Sequence, residues 1–372
     1  MHNKKIIISG GGTAGHLYPA LSVGKKLKEI DPSVKLTFTG SSRNLERKIM
    51  SHYQAEFISI KIEGIRGKGL KIIRPFILLP LSFIKSLKII RKIKPDLVIG
   101  MGGYSSGPLV LLASLIKVPT LILEQNLHPG FTNRLLIPRV KKAAVSFENS
   151  LPYFKGKGIF LGNPVREEFY KLPFKARNNK LSLLIFGGSQ GSHFLNCSII
   201  NSLPFLKKEK EHLKIFHQTG NKDYEWVKKN YSKNGFFNIE VSPYFFNMAN
   251  YFSKSDIIIC RAGATSIAEL IAAQKASLLI PFAQATDNHQ FLNARELKRI
   301  NSAEVMLENE VKGEKLADKI FYFIKNREKI NQMEKNLSKL RTENSAEKIA
   351  QFCFELIEKN SRKRSHGKTK LH

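Results

Sequence analysis

The stretch that most constrains this chain is its start, where Lys4-Lys5-Ile6-Ile7-Ile8-Ser9 runs directly into Gly10-Gly11-Gly12-Thr13-Ala14-Gly15-His16-Leu17-Tyr18-Pro19-Ala20. A β-branched run favours a strand, and consecutive glycines let the backbone turn tightly into a helix. Strand, glycine loop and helix in succession make the first half of a βαβ unit, which calls for a parallel sheet covered by helices. N–H groups exposed at such a helix N-terminus favour a phosphate or another electron-rich group; the same turn also serves simple close packing. His16, in the first helical turn at the mouth of the loop, is either a proton acceptor near neutral pH or a capping or packed side chain.

A dinucleotide cofactor would need an acid at the end of the second strand to hold the ribose diol. The second strand here, Val34 to Thr39, ends in Gly40-Ser41-Ser42. NAD is therefore disfavoured, and no cofactor is expected.

The chain has 372 residues, enough for two domains with their own cores. Short apolar strands at 5–9, 34–39, 56–60, 96–99, 119–123 and 143–146 alternate with helical patterns. After Gly162-Asn163-Pro164-Val165-Arg166 the pattern restarts, with strands near 181–186, 213–217, 238–241, 256–260 and 276–280. The expectation is an α/β fold of two Rossmann-like parallel-sheet domains, 1–162 and 163–344. A helix at 345–360 is expected to return to the first domain, and 361–372 reads as a basic, disordered tail.

The formal net charge is +31, with 26 basic and 8 acidic residues up to Asn163 and 35 and 22 after it. Both halves are basic, which favours anionic partners or reflects a lysine-rich composition. Nucleic acid lacks support, since neither a helix-turn-helix pattern, an RNP motif nor Cys/His zinc spacing is present. Cys197, Cys260 and Cys353 are isolated, as suits a reducing cytosol. The apolar run at the start is too short for a signal peptide and no stretch is long enough to span a membrane.

Between Gly64 and Pro95 nine basic residues and no acidic one flank the apolar run Pro75 to Ile84. With Phe76, Ile77, Leu79 and Phe83 on its apolar side, the segment reads as one lying on an anionic membrane surface, each basic residue contributing about 1 kcal/mol. The alternative is a core helix with a solvated basic edge.

A second phosphate-type loop follows the strand Leu183-Leu184-Ile185-Phe186, in Gly187-Gly188-Ser189-Gln190-Gly191-Ser192. The Ser189 hydroxyl, beside backbone N–H groups, suits a diphosphate oxygen or caps the helix that follows. Further on, Asp256 to Cys260 enters Arg261-Ala262-Gly263-Ala264-Thr265-Ser266-Ile267-Ala268-Glu269, where small residues let a ligand approach the backbone. The Glu269 carboxylate offers paired acceptors for a ribose diol. The loop Pro281 to Gln290 carries side chains suited to sugar hydroxyls or to a polar turn. Neither Asp-x-Asp nor His-Glu-x-x-His occurs, so no metal site is expected. Helix termini and Arg166 would then neutralise a diphosphate.

These motifs, taken in order as GGGTAGHLYPA (10–20), GMGGYSSGP (100–108), EQN (124–126), GNPVR (162–166), GGSQGS (187–192), CRAGATSIAE (260–269) and DNHQ (287–290), resemble those of the MurG glycosyltransferases. The resemblance spans nearly the whole chain. It implies the two-domain GT-B fold and an inverting transfer of N-acetylglucosamine from UDP-GlcNAc to the C4 hydroxyl of the muramyl sugar of lipid I. The product would be lipid II, the peptidoglycan precursor, made by a peripheral protein at the cytoplasmic face of the inner membrane.

By motif match, Ser189 and Arg166 fall to the donor diphosphate, Glu269 to the ribose, Phe245 to uracil through its backbone, and Gln290 to the sugar. Ala264, Thr265, Ser266, Ile267 and Ala268 form the helix start beside the donor. The first domain takes the acceptor, with Gly11, Gly12, Gly103 and Tyr104 at the lipid diphosphate; Thr13, Ala14, Gly15 and Asn126 border the cleft on the UDP-GlcNAc side.

The resemblance also implies a single displacement, with His16 the first candidate for the base and Glu124 the second. One position departs from the pattern: similar sequences usually have glycine where this chain has Ala14, and a left-handed backbone there would strain the turn by roughly 1 kcal/mol. Rivals are a related transferase or a UDP-GlcNAc epimerase on the same fold, and a non-catalytic basic protein.

Overall fold

The computed structural model describes residues 3–11, 14–41, 43–60, 73–173, 179–285, 288–341 and 344–368. The chain divides into two compact units, Met1–Val165 with Asn344–His372, and Arg166–Glu343. The N–H groups of Leu161 and Gly162 donate to Val145 O, and the first unit runs on to Val165.

The first unit is built from β1 (Lys5–Ser9), α1 (Ala14–Ile30), β2 (Lys35–Gly40), α2 (Asn44–His52), β3 (Phe57–Ser59), α3 (Ile73–Ile93), β4 (Leu97–Gly100), α4 (Gly107–Leu115), β5 (Thr120–Glu124), α5 (Phe131–Leu136), β6 (Lys142–Val145) and β7 (Gly158–Phe160). Its strands form one sheet in the order β3-β2-β1-β4-β5-β6-β7, and every pairing is parallel. Strands buried on both faces explain the unbroken apolar runs in the sequence.

Alternation sorts these side chains to two cores. Ile6 and Ile8 of β1, Leu97 and Ile99 of β4, and Leu121 and Leu123 of β5 face one core. Ile7, Val98 and Ile122 between them face the other, under α3 and α4. The first core is closed by α1 and by the C-terminal helix, whose Ile349, Ala350, Cys353, Leu356 and Ile357 all lie within it.

The second unit holds β8 (Leu181–Phe186), α6 (His193–Ser202), β9 (Leu213–Gln218), α7 (Tyr224–Lys233), β10 (Ile239–Ser242), α8 (Met248–Lys254), β11 (Ile257–Cys260), α9 (Ala264–Ala273), β12 (Ser277–Leu279), α10 (His289–Arg299), β13 (Ala303–Val305), α11 (Gly313–Lys325) and α12 (Arg327–Leu337). The parallel sheet runs β10-β9-β8-β11-β12-β13. Its core joins Leu183 and Ile185 of β8 to Leu195 of α6, Phe323 of α11 and Met333 of α12.

The two units repeat a device as well as a topology. Asp96 Oδ2, just before β4, accepts the Lys5 N–H at 2.8 Å. Asp256 Oδ2, just before β11, accepts the Ser182 N–H at 2.8 Å. In each unit a carboxylate thus fixes the register of the two central strands at the end away from the glycine loop.

Two strands have no counterpart in the sequence reading, β7 and β13. Each is three residues long and pairs at a sheet edge, too short to show an apolar pattern. The C-terminal helix, α13 (Ser345–Lys368), runs on past residue 360, so 361–368 is helical instead of a disordered tail. Extending a formed helix adds one hydrogen bond per residue without a new nucleus. Among the described residues no helix is long and apolar enough to cross a membrane.

The phase of α3 brings further apolar residues outward. Leu79 and Phe83 are half-buried, whereas Leu81 and Ile84 are 55% and 54% exposed. Leu81, Ile84, Lys85, Lys88, Arg91 and Lys92 are all exposed and recur at helical spacing. A continuous apolar run does not reveal which residues face outward. The side chains of Phe76 and Ile77 lie outside the described residues.

Candidate active site

Open α/β sheets bind ligands beyond the carboxyl ends of their strands, where the strand order reverses. The reversal falls between β1 and β4 in the first unit and between β8 and β11 in the second. All the glycine loops picked out from sequence end at these points.

In the first unit, Gly11, Ala14, Gly15 and His16 follow β1, and Gly12 and Thr13 lie outside the described residues. Ala14 opens α1, a right-handed position that alanine suits better than glycine. The loop after β4 comes up against this turn. Gly102 and Gly103 have φ of +90° and +76°, and a Cβ on Gly103 would stand 2.5 Å from Gly11 O and 3.4 Å from the His16 ring. A Cβ on Gly102 would stand 3.2 Å from His16 Cε1. Both glycines are therefore required, by conformation and by the closeness of the half-buried imidazole. Tyr104, next in the loop, is half-buried with its ring 6.4 Å from that of Phe131.

Glu124 ends β5 and is buried. Its Oε1 accepts from Asn126 N at 3.0 Å and Asn126 Nδ2 at 3.1 Å. Its Oε2 accepts from Gly130 N at 2.8 Å and Asn133 Nδ2 at 2.9 Å. Burial raises the carboxyl above the ordinary carboxylate range, and these donors oppose the rise. With four donors on two oxygens its acceptor positions are filled. Glu124 thus ties the 124–133 segment together through Asn126, Gly130 and Asn133.

In the second unit the glycine loop after β8 is locked from behind. A Cβ on Gly191, φ +77°, would stand 1.9 Å from Thr219 O, and one on Gly220, φ +78°, 2.2 Å from Gln190 O. Space opens in front: a Cβ on Gly188 or on Gly263 would meet nothing within 4 Å. Ser192 caps α6, its Oγ accepting from Leu195 N at 3.3 Å, so the capping role considered for Ser189 belongs to Ser192. Ser189 is half-buried at the turn.

Gly263 precedes α9, whose first turn is Ala264, Thr265 and Ser266, followed by buried Ile267, half-buried Ala268 and buried Glu269. The N-termini of α6 and α9 both lie at the carboxyl ends of β8 and β11, where their partial positive charge favours an anion.

Arg166 and Glu269, read from sequence as two separate ligand groups, form one buried pair, Nη2 to Oε1 at 3.2 Å. Glu168 Oε1 lies 3.3 Å from Arg166 Nη1, and the guanidinium stands over the Phe169 ring at 4.8 Å. Burial raises the Glu269 carboxyl, the Arg166 charge opposes it, and the Glu168 charge adds to the rise.

The backbone N–H of Phe245 donates to Gln218 Oε1 at 2.8 Å. Its ring is stacked on Tyr251 with centroids 3.8 Å apart. Gln290 Oε1 accepts from Phe282 N at 3.0 Å, which leaves its NH2 as the donor for a ligand. Thr286 and Asp287 lie outside the described residues.

The sequence reading gave Arg261 no role, although it falls inside a motif. It is buried, donates to Ser192 Oγ at 3.0 Å and to the Ile280 carbonyl at 3.1 Å, and pairs with Glu308 at 2.5 Å. It ties the α6 cap to the segment after β12. An arginine directly after a buried strand was the available signal. His217 and Gln218 were missed as well, since neither belongs to a glycine loop. Among the described residues no group of three His, Cys, Asp or Glu side chains is arranged to hold a metal ion.

Two Rossmann-like units, each with a glycine loop at the reversal of its sheet, make up the GT-B fold. Residues 6–145 match the glycosyltransferase family 28 N-terminal domain, and 182–351 match the family 28 C-terminal domain. A Myxococcus xanthus protein named UDP-N-acetylglucosamine–N-acetylmuramyl-(pentapeptide) pyrophosphoryl-undecaprenol N-acetylglucosamine transferase is 37% identical over 95% of this chain and 93% of its own length. A Syntrophus aciditrophicus protein of the same name is 39% identical over 95% and 99%. The crystal structure of Acinetobacter baumannii MurG superposes with a TM-score of 0.73 at 28% identity, covering 95% of this chain and 99% of that one. The chain belongs to glycosyltransferase family 28 and, within it, to the MurG group. A UDP-GlcNAc 2-epimerase from Neisseria meningitidis bound to UDP-GlcNAc, 15% identical with a TM-score of 0.67 over 94% of this chain and 100% of that one, shares the fold alone.

Proposed function

We propose that this chain transfers N-acetylglucosamine from UDP-GlcNAc to the C4 hydroxyl of the muramyl sugar of lipid I, releasing UDP and lipid II. The observation that carries this is the 37–39% identity over 95% of the chain to transferases named for that reaction. The epimerase alternative rests on fold likeness at 15% identity.

The second unit takes the donor. The diphosphate lies against Gly188, Ser189 and the N-termini of α6 and α9, where backbone N–H groups meet developing negative charge. The Arg166 charge opposes the effect of burial on Glu269 and so favours the carboxylate form that accepts from the ribose diol. Phe245 O reads the uracil edge, and the Gln290 NH2 reaches the sugar.

The first unit takes the acceptor, with its diphosphate at Gly11, Gly12, Gly103 and Tyr104, while Thr13, Ala14, Gly15 and Asn126 border the donor. His16 takes the proton of the C4 hydroxyl as the oxygen attacks the anomeric carbon; the bond to UDP breaks and its electron pair leaves on the diphosphate. The attack inverts the anomeric configuration. Glu124, with its acceptor positions filled, holds Asn126 in place.

The exposed stripe of α3, apolar at Leu81 and Ile84 and basic from Lys85 to Lys92, suits an anionic membrane surface, as does the chain's +31 charge. On this reading the protein is peripheral, at the cytoplasmic face of the inner membrane. A coupled assay of UDP release with and without a lipid-linked muramyl acceptor tests the function. Release only with the acceptor supports transfer; consumption of UDP-GlcNAc without it overturns the reading.

A further inference from the structure

Strand β9 ends in His217 and Gln218, two buried polar residues whose side chains alternation sends to opposite faces of the sheet. On one face, Gln218 Nε2 donates to Gly188 O at 3.0 Å and Oε1 accepts from Phe245 N at 2.8 Å. One amide thereby spans the glycine loop and the segment that carries Phe245. On the other face, His217 Nε2 lies 3.0 Å from Asn196 Oδ1, and Nδ1 lies 3.0 Å from the Tyr231 hydroxyl.

The tautomer follows from the partners. Asn196 Nδ2 donates to Thr219 O at 3.0 Å and to Asp223 Oδ2 at 2.7 Å. Its Oδ1 is therefore an acceptor, so His217 carries its proton on Nε2 and accepts from Tyr231 at Nδ1. Burial holds the imidazole pKa down to about 3, against the Asp223 charge, which keeps the ring neutral. The chain of bonds ends at Thr219, whose carbonyl is in backbone contact with Gly191. A shift of Thr219 has to move the glycine loop.

We propose that His217 and Gln218 are a pair of positioning residues that hold the donor-binding loops of the second unit from both faces of its sheet. Neither touches the ligand. Gln218 fixes the distance between Gly188 and Phe245, and His217, through Asn196, fixes the seat of Gln190 and Gly191. The inference rests on the reading that the donor diphosphate lies on the Gly187–Ser192 loop.

The test compares full-length wild type with His217→Leu, His217→Gln and Gln218→Met. Calorimetric binding of UDP is measured alongside KM for both substrates and thermal stability. His217→Leu and Gln218→Met should each weaken UDP binding and raise the UDP-GlcNAc KM by roughly tenfold or more, with the acceptor KM unchanged and kcat falling less than KM rises. His217→Gln, which keeps a donor near the Nε2 position, should recover most of the UDP affinity. Wild-type UDP affinity in both His217→Leu and Gln218→Met, or an equal rise in both KM values, overturns the proposal. Should His217→Leu fail to fold, Gln218→Met and His217→Gln decide it by the same readings. Wild type that binds no UDP overturns the underlying donor-site reading, and the proposal with it.

Discussion

Arg166 Nη2 lies 3.2 Å from Glu269 Oε1, and both side chains are more than nine-tenths buried. Removing Arg166 strands the buried Glu269 carboxylate, which for a buried pair costs about 3–5 kcal/mol, whereas Arg166 keeps Glu168 as a partner when Glu269 is lost. Arg166→Ala should therefore lower the stability of the second unit by that order, Glu269→Ala by less, and both should weaken UDP binding. Paired calorimetry and UDP titration check this; wild-type stability with unchanged UDP affinity would remove the pair from the donor site.

His16 and Glu124 should separate cleanly by what their loss disturbs. His16→Ala is expected to lower turnover by at least about 10²-fold, the low end of general base catalysis, with little change in thermal stability. Glu124→Ala removes the shared acceptor of Asn126, Gly130 and Asn133 and should cost about 1–3 kcal/mol of stability. Turnover by His16→Ala within tenfold of wild type would remove His16 from the role of base.

Acid should weaken the second unit through His217. Its folded pKa, held down to about 3 by burial, lies below the value of about 6.5 expected when unfolded. Between those values the unfolded chain binds the extra proton, so this contribution to stability is lost as pH falls, by up to about 1.4 kcal/mol per pH unit. Unfolding titrations at pH 7 and pH 5 should show a smaller acid loss for His217→Gln than for wild type; equal losses would contradict the buried neutral ring.

Leu81→Asp with Ile84→Asp should weaken binding to anionic vesicles by roughly tenfold or more, since two apolar contacts are lost and two unfavourable charges gained near the surface. Phe83→Ala should act instead on stability, because Phe83 is half-buried. Vesicle sedimentation paired with thermal unfolding distinguishes them, and unchanged sedimentation of the double variant would remove α3 from the membrane surface.

Much of this was legible from residues 4–20 and 183–192, because buried parallel strands need unbroken apolar runs and glycine turns interrupt them unmistakably. The edge strands β7 and β13 were not legible, being three residues long and little buried. Helical phase hid the outward face of α3. In the site, motif residues were visible one at a time, but their mutual contacts were not: no spacing rule brings Arg166 to Glu269 across 103 positions, and nothing local announces that Glu124 is saturated by Asn126, Gly130 and Asn133. Buried polar residues outside the glycine loops, His217 and Gln218 among them, look in sequence like ordinary strand ends.

The transfer reaction is decided by the fate of UDP-GlcNAc when purified protein is given a lipid-linked muramyl acceptor. Mass spectrometry should find one N-acetylhexosamine added to the acceptor for each UDP released, and no UDP released without the acceptor. An acceptor of unchanged mass, or UDP-GlcNAc epimerised or hydrolysed in its absence, would contradict the account.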